Sequence, residues 1–179
     1  GKLSRGLGDV YKRQGHNMSF QGIFGKPRKL VTDATKRLCS AINEGEPKST
    51  VKYILMNTVG NRNRDLPEKI SFSEKCIIWL LRLLVPPHID NEEAADYLRT
   101  KIGQNDNTIK WVVVRPSSLI DEEDVSEYKT HSSPTRSAIF NDGKVSRVNV
   151  AAFMNKLITD QNLWEKWKGQ MPVIYNKEK

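Results

Sequence analysis

Residues Trp111-Val112-Val113-Val114 form an unbroken apolar run that ends abruptly in Arg115-Pro116-Ser117-Ser118-Leu119. A strand that is apolar at every position must be covered on both faces, which places it inside a parallel sheet. Open parallel sheets bind ligands in the crevice outside the carboxyl ends of their strands. The residues that follow this strand are therefore the first place to look for function.

A second run, Val51 to Met56 (VKYILM), is mostly apolar and ends in Asn57-Thr58-Val59-Gly60. Helical patterning between the two runs is consistent with the crossover of a βαβ unit. Two buried strands with helices between and around them predict an α/β fold, a doubly wound parallel sheet.

The remaining elements follow from local signals. Pro27 opens a helix whose Leu30, Ala34, Leu38 and Ile42 recur every four residues and predict one buried face. Ser71-Phe72-Ser73-Glu74 has capping-box spacing. It precedes an apolar helix from Cys76 to Leu84, stopped by Val85-Pro86-Pro87. Such a helix is either deeply buried or packs one face on a partner subunit. Asp90-Asn91-Glu92-Glu93 begins the next helix, and Gly103 closes it. Residues 121–135 are expected to be a surface excursion and Ser137 to Phe140 a short strand. Asn149 is expected to cap a helix, and Met171 to Tyr175 to form a last strand with Pro172 favouring an edge.

Composition excludes several classes. The 179 residues suit one domain with a real core. The formal charge is +8, but Lys2, Arg5, Lys12 and Arg13 against Asp9 give residues 1–14 a net +3 of it. The remaining +5 is spread over several helices with no dense basic run, so no nucleic-acid partner is expected. The longest apolar stretch, Cys76 to Pro87, carries Arg82 and is too short to span a bilayer. No secretory signal is recognised either, and a cytoplasmic location is expected. Cys39 and Cys76 are expected to be buried, reduced thiols. His16, His88 and His131 lack partners at metal-ligand spacing, so no metal is expected. Gly1 to Gln14 has a foreign composition and reads as a non-native scar or a disordered tail, leaving 15–179 as the domain.

Taken in order, the strand ending in Asn57-Thr58, the long helix, Val112-Val113-Val114-Arg115-Pro116-Ser117-Ser118-Leu119 and Gly143-Lys144-Val145-Ser146-Arg147-Val148-Asn149-Val150-Ala151-Ala152-Phe153-Met154 carry a family likeness. They resemble the C-terminal part of an atypical short-chain dehydrogenase/reductase of the NAD(P)H-binding, NmrA-like group. The resemblance covers about Gly15 to Asn176, with Asn149 where the group usually has aspartate. It implies a Rossmann-like fold, N-terminally truncated, and a nicotinamide cofactor, NADP or NAD. The group's glycine-rich phosphate loop has no counterpart, since Gly22-Ile23-Phe24-Gly25 lacks its spacing. The resemblance places three segments beside the cofactor. Gly15-His16-Asn17 would lie along the ribose. Asn57-Thr58-Val59 would lie beside the nicotinamide, and Arg115-Pro116-Ser117-Ser118-Leu119 near its amide.

Catalytic members of the group carry Tyr-x-x-x-Lys on the helix before the Arg-Pro strand. Tyr97-Leu98-Arg99-Thr100-Lys101 matches that spelling, and residues four apart share a helical face. Gly103 follows almost at once, which puts the pair at the far end of the helix, away from the strand carboxyl ends. Anchoring instead on Asp96-Tyr97-Leu98 moves the catalytic positions to near His88 and Glu92. His88 is then the candidate proton carrier. The expected function is an NAD(P)-dependent oxidoreductase or epimerase-like enzyme acting on a small molecule, present as a fragment. The alternative is a non-catalytic NAD(P)-binding sensor or interaction module. In either case Cys76 to Leu84 offers a surface for homo-oligomers.

Overall fold

The computed structural model describes residues 29–68, 71–84, 86–141 and 143–177. Helix α1 (Leu30–Glu44) leads into strand β1 (Val51–Met56). Helices α2 (Phe72–Leu84) and α3 (Pro86–Tyr97) follow, and α3 ends in a π-helical turn, Leu98–Ile102. Strand β2 (Ile109–Pro116) comes next, then β3 (Ser118–Ile120), β4 (Tyr128–His131) and β5 (Lys144–Ser146). The chain closes with α4 (Arg147–Thr159), α5 (Gln161–Trp167) and β6 (Val173–Asn176).

The main sheet has the order β1-β2-β6-β4. β2 runs parallel to both β1 and β6, and β4 pairs antiparallel with β6. β3 and β5 form a separate parallel pair. The apolar run of β2 divides between two layers by simple alternation. Trp111 and Val113 pack with Cys39, Ala95 and Leu98 on the α1–α3 face. Val112 and Val114 pack with Phe153, Leu157, Trp164 and Trp167 on the α4–α5 face. Covering on both faces is what a doubly wound sheet requires, and each fully buried valine contributes about 1.5–3 kcal/mol. The Trp111 indole N–H, buried with its ring, donates to the Gly103 carbonyl at 2.8 Å.

Several local expectations are corrected. In α1 the buried face is Thr32, Thr35 and Cys39, while Leu38 is exposed. Small hydroxyl residues win that face because α3 reaches across to cap α1. The Asp90 carboxylate accepts from the Val31 and Thr32 amides, both at 2.8 Å, and the Thr32 hydroxyl donates to the Asp90 carbonyl. Helix α3 starts at Pro86, four residues before Asp90, proline being preorganised for a first helical turn. Residues 137–140 form a turn rather than a strand, because the Ser137 hydroxyl accepts from the Ile139 and Phe140 amides. Ser146, not Asn149, caps α4 by accepting from the Asn149 amide at 3.2 Å. β6 lies inside the sheet, and residues 121–135 contribute β4 beside it. Pro172 is tolerated because it precedes the strand and offers only its carbonyl, which accepts from the Arg115 amide at 2.8 Å. Cys39 is buried as expected, but Cys76 is exposed on the outer side of α2. Phe72, Trp79 and Leu80 are exposed on the same helix, so α2 is not a deeply buried helix. Its capping box forms, with the Ser71 amide donating to Glu74 at 3.0 Å. No helix among the described residues is long and apolar enough to cross a membrane.

Candidate functional site

The carboxyl ends of β1 and β2 lie side by side, their last registered pair being Met56 and Val114. The parallel pairing continues past both strands. The Asn57 amide donates to the Val114 carbonyl at 2.8 Å and the Val59 amide to the Pro116 carbonyl at 2.9 Å. Asn57 locks this junction to α3, its side-chain amide donating to the Asn91 carbonyl at 2.8 Å. Its side-chain oxygen meanwhile accepts from the Thr58 amide. Asn57 and Val59 are buried in consequence, and Thr58 is half-buried between them.

Alternation along β2 returns Arg115 to the face of Trp111 and Val113, where it is fully buried. Its guanidinium donates to three carbonyls: Met171 at 2.7 Å, Asn61 at 2.8 Å and Ser132 at 3.0 Å. It also pairs with Glu68 at 2.8 Å, whose other carboxylate oxygen accepts from the Asn63 amide. One side chain thus ties the loop after β1, the end of β4 and the entry to β6 onto β2. A planar, permanently charged fork suits this task as lysine would not.

A cavity of about 220 Å3 opens beside this clamp. Thr58, Val59, Gly60, Ser117 and Ser118 line it from the strand ends, with His88 at the start of α3. Ile78, Ala138 and Ile139 supply an apolar wall. Ser117 is only 5% exposed, and its hydroxyl oxygen is buried with no hydrogen-bond partner among the described residues. Buried polar atoms are normally satisfied, so an orphan lining a cavity is open to a hydrogen bond from whatever occupies that cavity. The His88 imidazole Nε2 lies 3.5 Å from a Glu92 carboxylate oxygen, one helical turn on, and both side chains are largely buried. An imidazole beside a carboxylate is an arrangement that can take up and release a proton.

The other sequence-derived residues fall elsewhere. Pro116 is buried at the strand end, and Leu119 is exposed on β3, outside the cavity lining. Gly15, His16 and Asn17 lie outside the described residues. Tyr97 and Lys101 are remote from the cavity, because α3 starts at the cavity and runs down to the amino end of β2. There the Tyr97 ring packs on the cluster of Cys39, Ala95, Ile109 and Trp111, with the Lys36 ammonium 5.9 Å from the ring centre. Burial pushes the Tyr97 hydroxyl up from its ordinary range. Lys101 is exposed in the π-helical turn. Sequence reading missed Gly60, Ile78, Ala138 and Ile139 in the lining, and Asn61, Asn63 and Glu68 around Arg115. The asparagines of the 57–63 loop were the available signal.

A model described as NAD(P)H-binding matches residues 19–161. Among solved structures, an oxidoreductase from Lactococcus lactis is similar at 16% identity with a TM-score of 0.55, covering 86% of this chain and 58% of that one. A wide-type short-chain dehydrogenase/reductase from Veillonella parvula, solved with NADP, is 16% identical with a TM-score of 0.52, covering 81% and 58%. An anaerobilin reductase from Escherichia coli O157:H7 is 18% identical with a TM-score of 0.53, covering 83% and 60%. This chain therefore spans less than two thirds of the length of these three proteins. No curated protein matches it significantly.

Proposed function

The chain belongs to the NAD(P)H-binding family, and from that premise we propose that it forms the nicotinamide end of an oxidoreductase of the atypical short-chain type. The observation that carries this reading is the cavity at the ends of β1 and β2 with the orphaned Ser117 hydroxyl inside it. Pockets that enclose a whole small ligand usually measure about 300–1,000 Å3. At about 220 Å3 this one suits a single ring and not a dinucleotide. The residues present fit a nicotinamide: apolar walls for a ring, and the Thr58 and Ser117 hydroxyls for a carboxamide. When bound, the cofactor supplies or accepts the hydride. The protein's part is to hold the ring, exclude water through Val59, Ile78 and Ile139, and move the accompanying proton through His88 with Glu92 behind it. Arg115 does not touch the ligand in this reading. It positions the loop that forms one wall.

The test uses the protein at its native length. Titration with NADPH and NADH, followed by the fluorescence of the reduced nicotinamide, is expected to show enhancement on binding. Ser117→Val should weaken binding, whereas His88→Ala should keep binding and lower turnover of an accepted substrate by about 10²–10⁴-fold. Binding that is indifferent to Ser117→Val, and turnover indifferent to His88→Ala, would remove this site from the reaction.

A second reading is favoured by the outer face of α2. Phe72 is 82% exposed and Trp79 64% exposed, an apolar surface of the kind that marks contact sites. On this reading the protein binds NAD(P) as a sensor and signals by associating through α2, with itself or with another protein. Sedimentation of the protein with and without NADPH, compared with Trp79→Glu, separates the readings. Cofactor-dependent association abolished by the variant supports the sensor, and a monomer under all conditions rules out self-association.

A further inference from the structure

The apolar wall of the cavity at the β1–β2 junction is made by two separate segments. Ile78 comes from α2, and Ala138 and Ile139 come from the turn at 137–140. That turn belongs to no strand or helix. Ala138 packs on Val59, Val173 and Tyr175, but apolar contact is non-directional and leaves a short turn free to slide. A polar contact fixes the two segments against each other. The Ser137 hydroxyl donates to Glu74 Oε1 at 2.5 Å. The other oxygen of that carboxylate accepts from the Ser71 amide at 3.0 Å and the Ser71 hydroxyl at 2.8 Å. Ser137 Oγ in turn accepts from the Ile139 amide at 3.3 Å and the Phe140 amide at 2.9 Å. A capping box asks only for the Ser71 contacts. The Ser137 bond joins residues 63 apart in the chain and goes beyond it. Hydrogen bonds to a carboxylate are roughly twice as strong as those between neutral groups, and Glu74 is only 8% exposed. Glu74 and Ile78 are four residues apart and share one face of α2. The face that offers Ile78 to the cavity therefore also carries the carboxylate that holds the turn bearing Ile139.

We propose that Glu74 and Ser137 are a positioning pair that sets the apolar wall of this cavity, and so its fit to the nicotinamide ring. Neither residue touches the ligand. Glu74 acts through Ser137, and Ser137 through the backbone of Ile139. The consequence for the cofactor rests on the nicotinamide reading; the placement of the wall does not.

Isoleucine methyl spectra of the free, native-length protein and the fluorescence of bound NADPH test it together. Ser137→Ala should displace the Ile139 methyl signal in the free protein. It should also weaken NADPH binding about threefold or more, as the fraction of molecules with the wall in place falls. The bound emission should shift to the red as water reaches the ring. Glu74→Ala leaves the Ser137 contacts inside the turn and should displace Ile139 in the same way. Ser71→Ala weakens the cap and spares the Ser137 bond. It should lower the melting temperature while leaving Ile139 and the bound emission in place. An Ile139 signal unmoved in Ser137→Ala, or moved there and not in Glu74→Ala, would overturn the pair. So would an equal displacement in Ser71→Ala, or unchanged affinity and emission in Ser137→Ala when the parent protein binds. A parent protein that binds neither NADPH nor NADH would instead sink the nicotinamide reading, and the free-protein spectra would still decide the pair.

Discussion

The two ends of β2 are built from opposite materials. At the amino end, Ile109 and Trp111 are enclosed by Cys39, Ala95, Leu98 and Met171, a packing that asks only for volume and apolar surface. At the carboxyl end, Arg115 and Ser117 are buried among Asn57, Asn61, Asn63 and Glu68. Buried charge is weak evidence for stability, since well-packed apolar residues often serve as well. Its place at the carboxyl end of the strand, beside the cavity and not at the other end, suits a polar cluster that fixes shape. It holds a loop with no regular secondary structure in one place beside a cavity.

The difference can be broken most severely at Arg115. Arg115→Met should cost about 4 kcal/mol in urea unfolding, because it strands the Glu68 carboxylate in the interior. The double change with Glu68→Leu should recover much of that loss while leaving NADPH binding impaired. Recovery of both stability and binding would mean that the clamp has no role in shaping the site. At the apolar end, Leu98→Ala should cost about 3 kcal/mol by opening a void. The folded fraction should bind cofactor as before.

A smaller effect is expected at Glu74. Hydrogen bonds from Ser137 and from the Ser71 amide hold its carboxyl below the usual carboxylate range. Its contribution is therefore full above that range and is lost as pH falls through the lowered folded value. Glu74→Gln should cost about 1 kcal/mol near pH 7. The gap to the parent protein should close in acid, as read from melting temperatures across pH. The gentlest probe is thiol labelling. Cys76 should react with a disulfide reagent in the native state. Cys39, buried and pushed up to about 11, should react only on unfolding.

The apolar end was legible in the sequence because its logic is local. Trp111 to Val114 announce a doubly covered strand, and Ser71 with Glu74 announces a helix start. The polar end was legible only in outline. Asn57, Thr58, Ser117 and Ser118 follow strands and could be placed near a ligand, but the partners of Arg115 come from Asn61, Ser132 and Met171, distant in the chain. Nothing in the spacing of Arg115 and Glu68 says that they meet. Tyr97 and Lys101 teach the converse lesson. Their spelling is that of a catalytic pair, but the direction of α3 carries them to the amino ends of the strands. The same direction leaves His88 at the cavity, with Glu92 beside it. The four-residue stripe of α1 misled because contacts invisible to periodicity, from Asp90 to Thr32 and from the Tyr53 hydroxyl to Thr35, hold these threonines inward.

Whether the polar end of the β1–β2 junction receives a nicotinamide can be read by methyl NMR on the native-length protein. With isoleucine methyls labelled, addition of NADPH should shift Ile78 and Ile139, which line the cavity, and leave Ile109 at the apolar end in place. Shifts at Ile109 with none at Ile78 and Ile139, or no shifts under saturating NADPH, would contradict that placement.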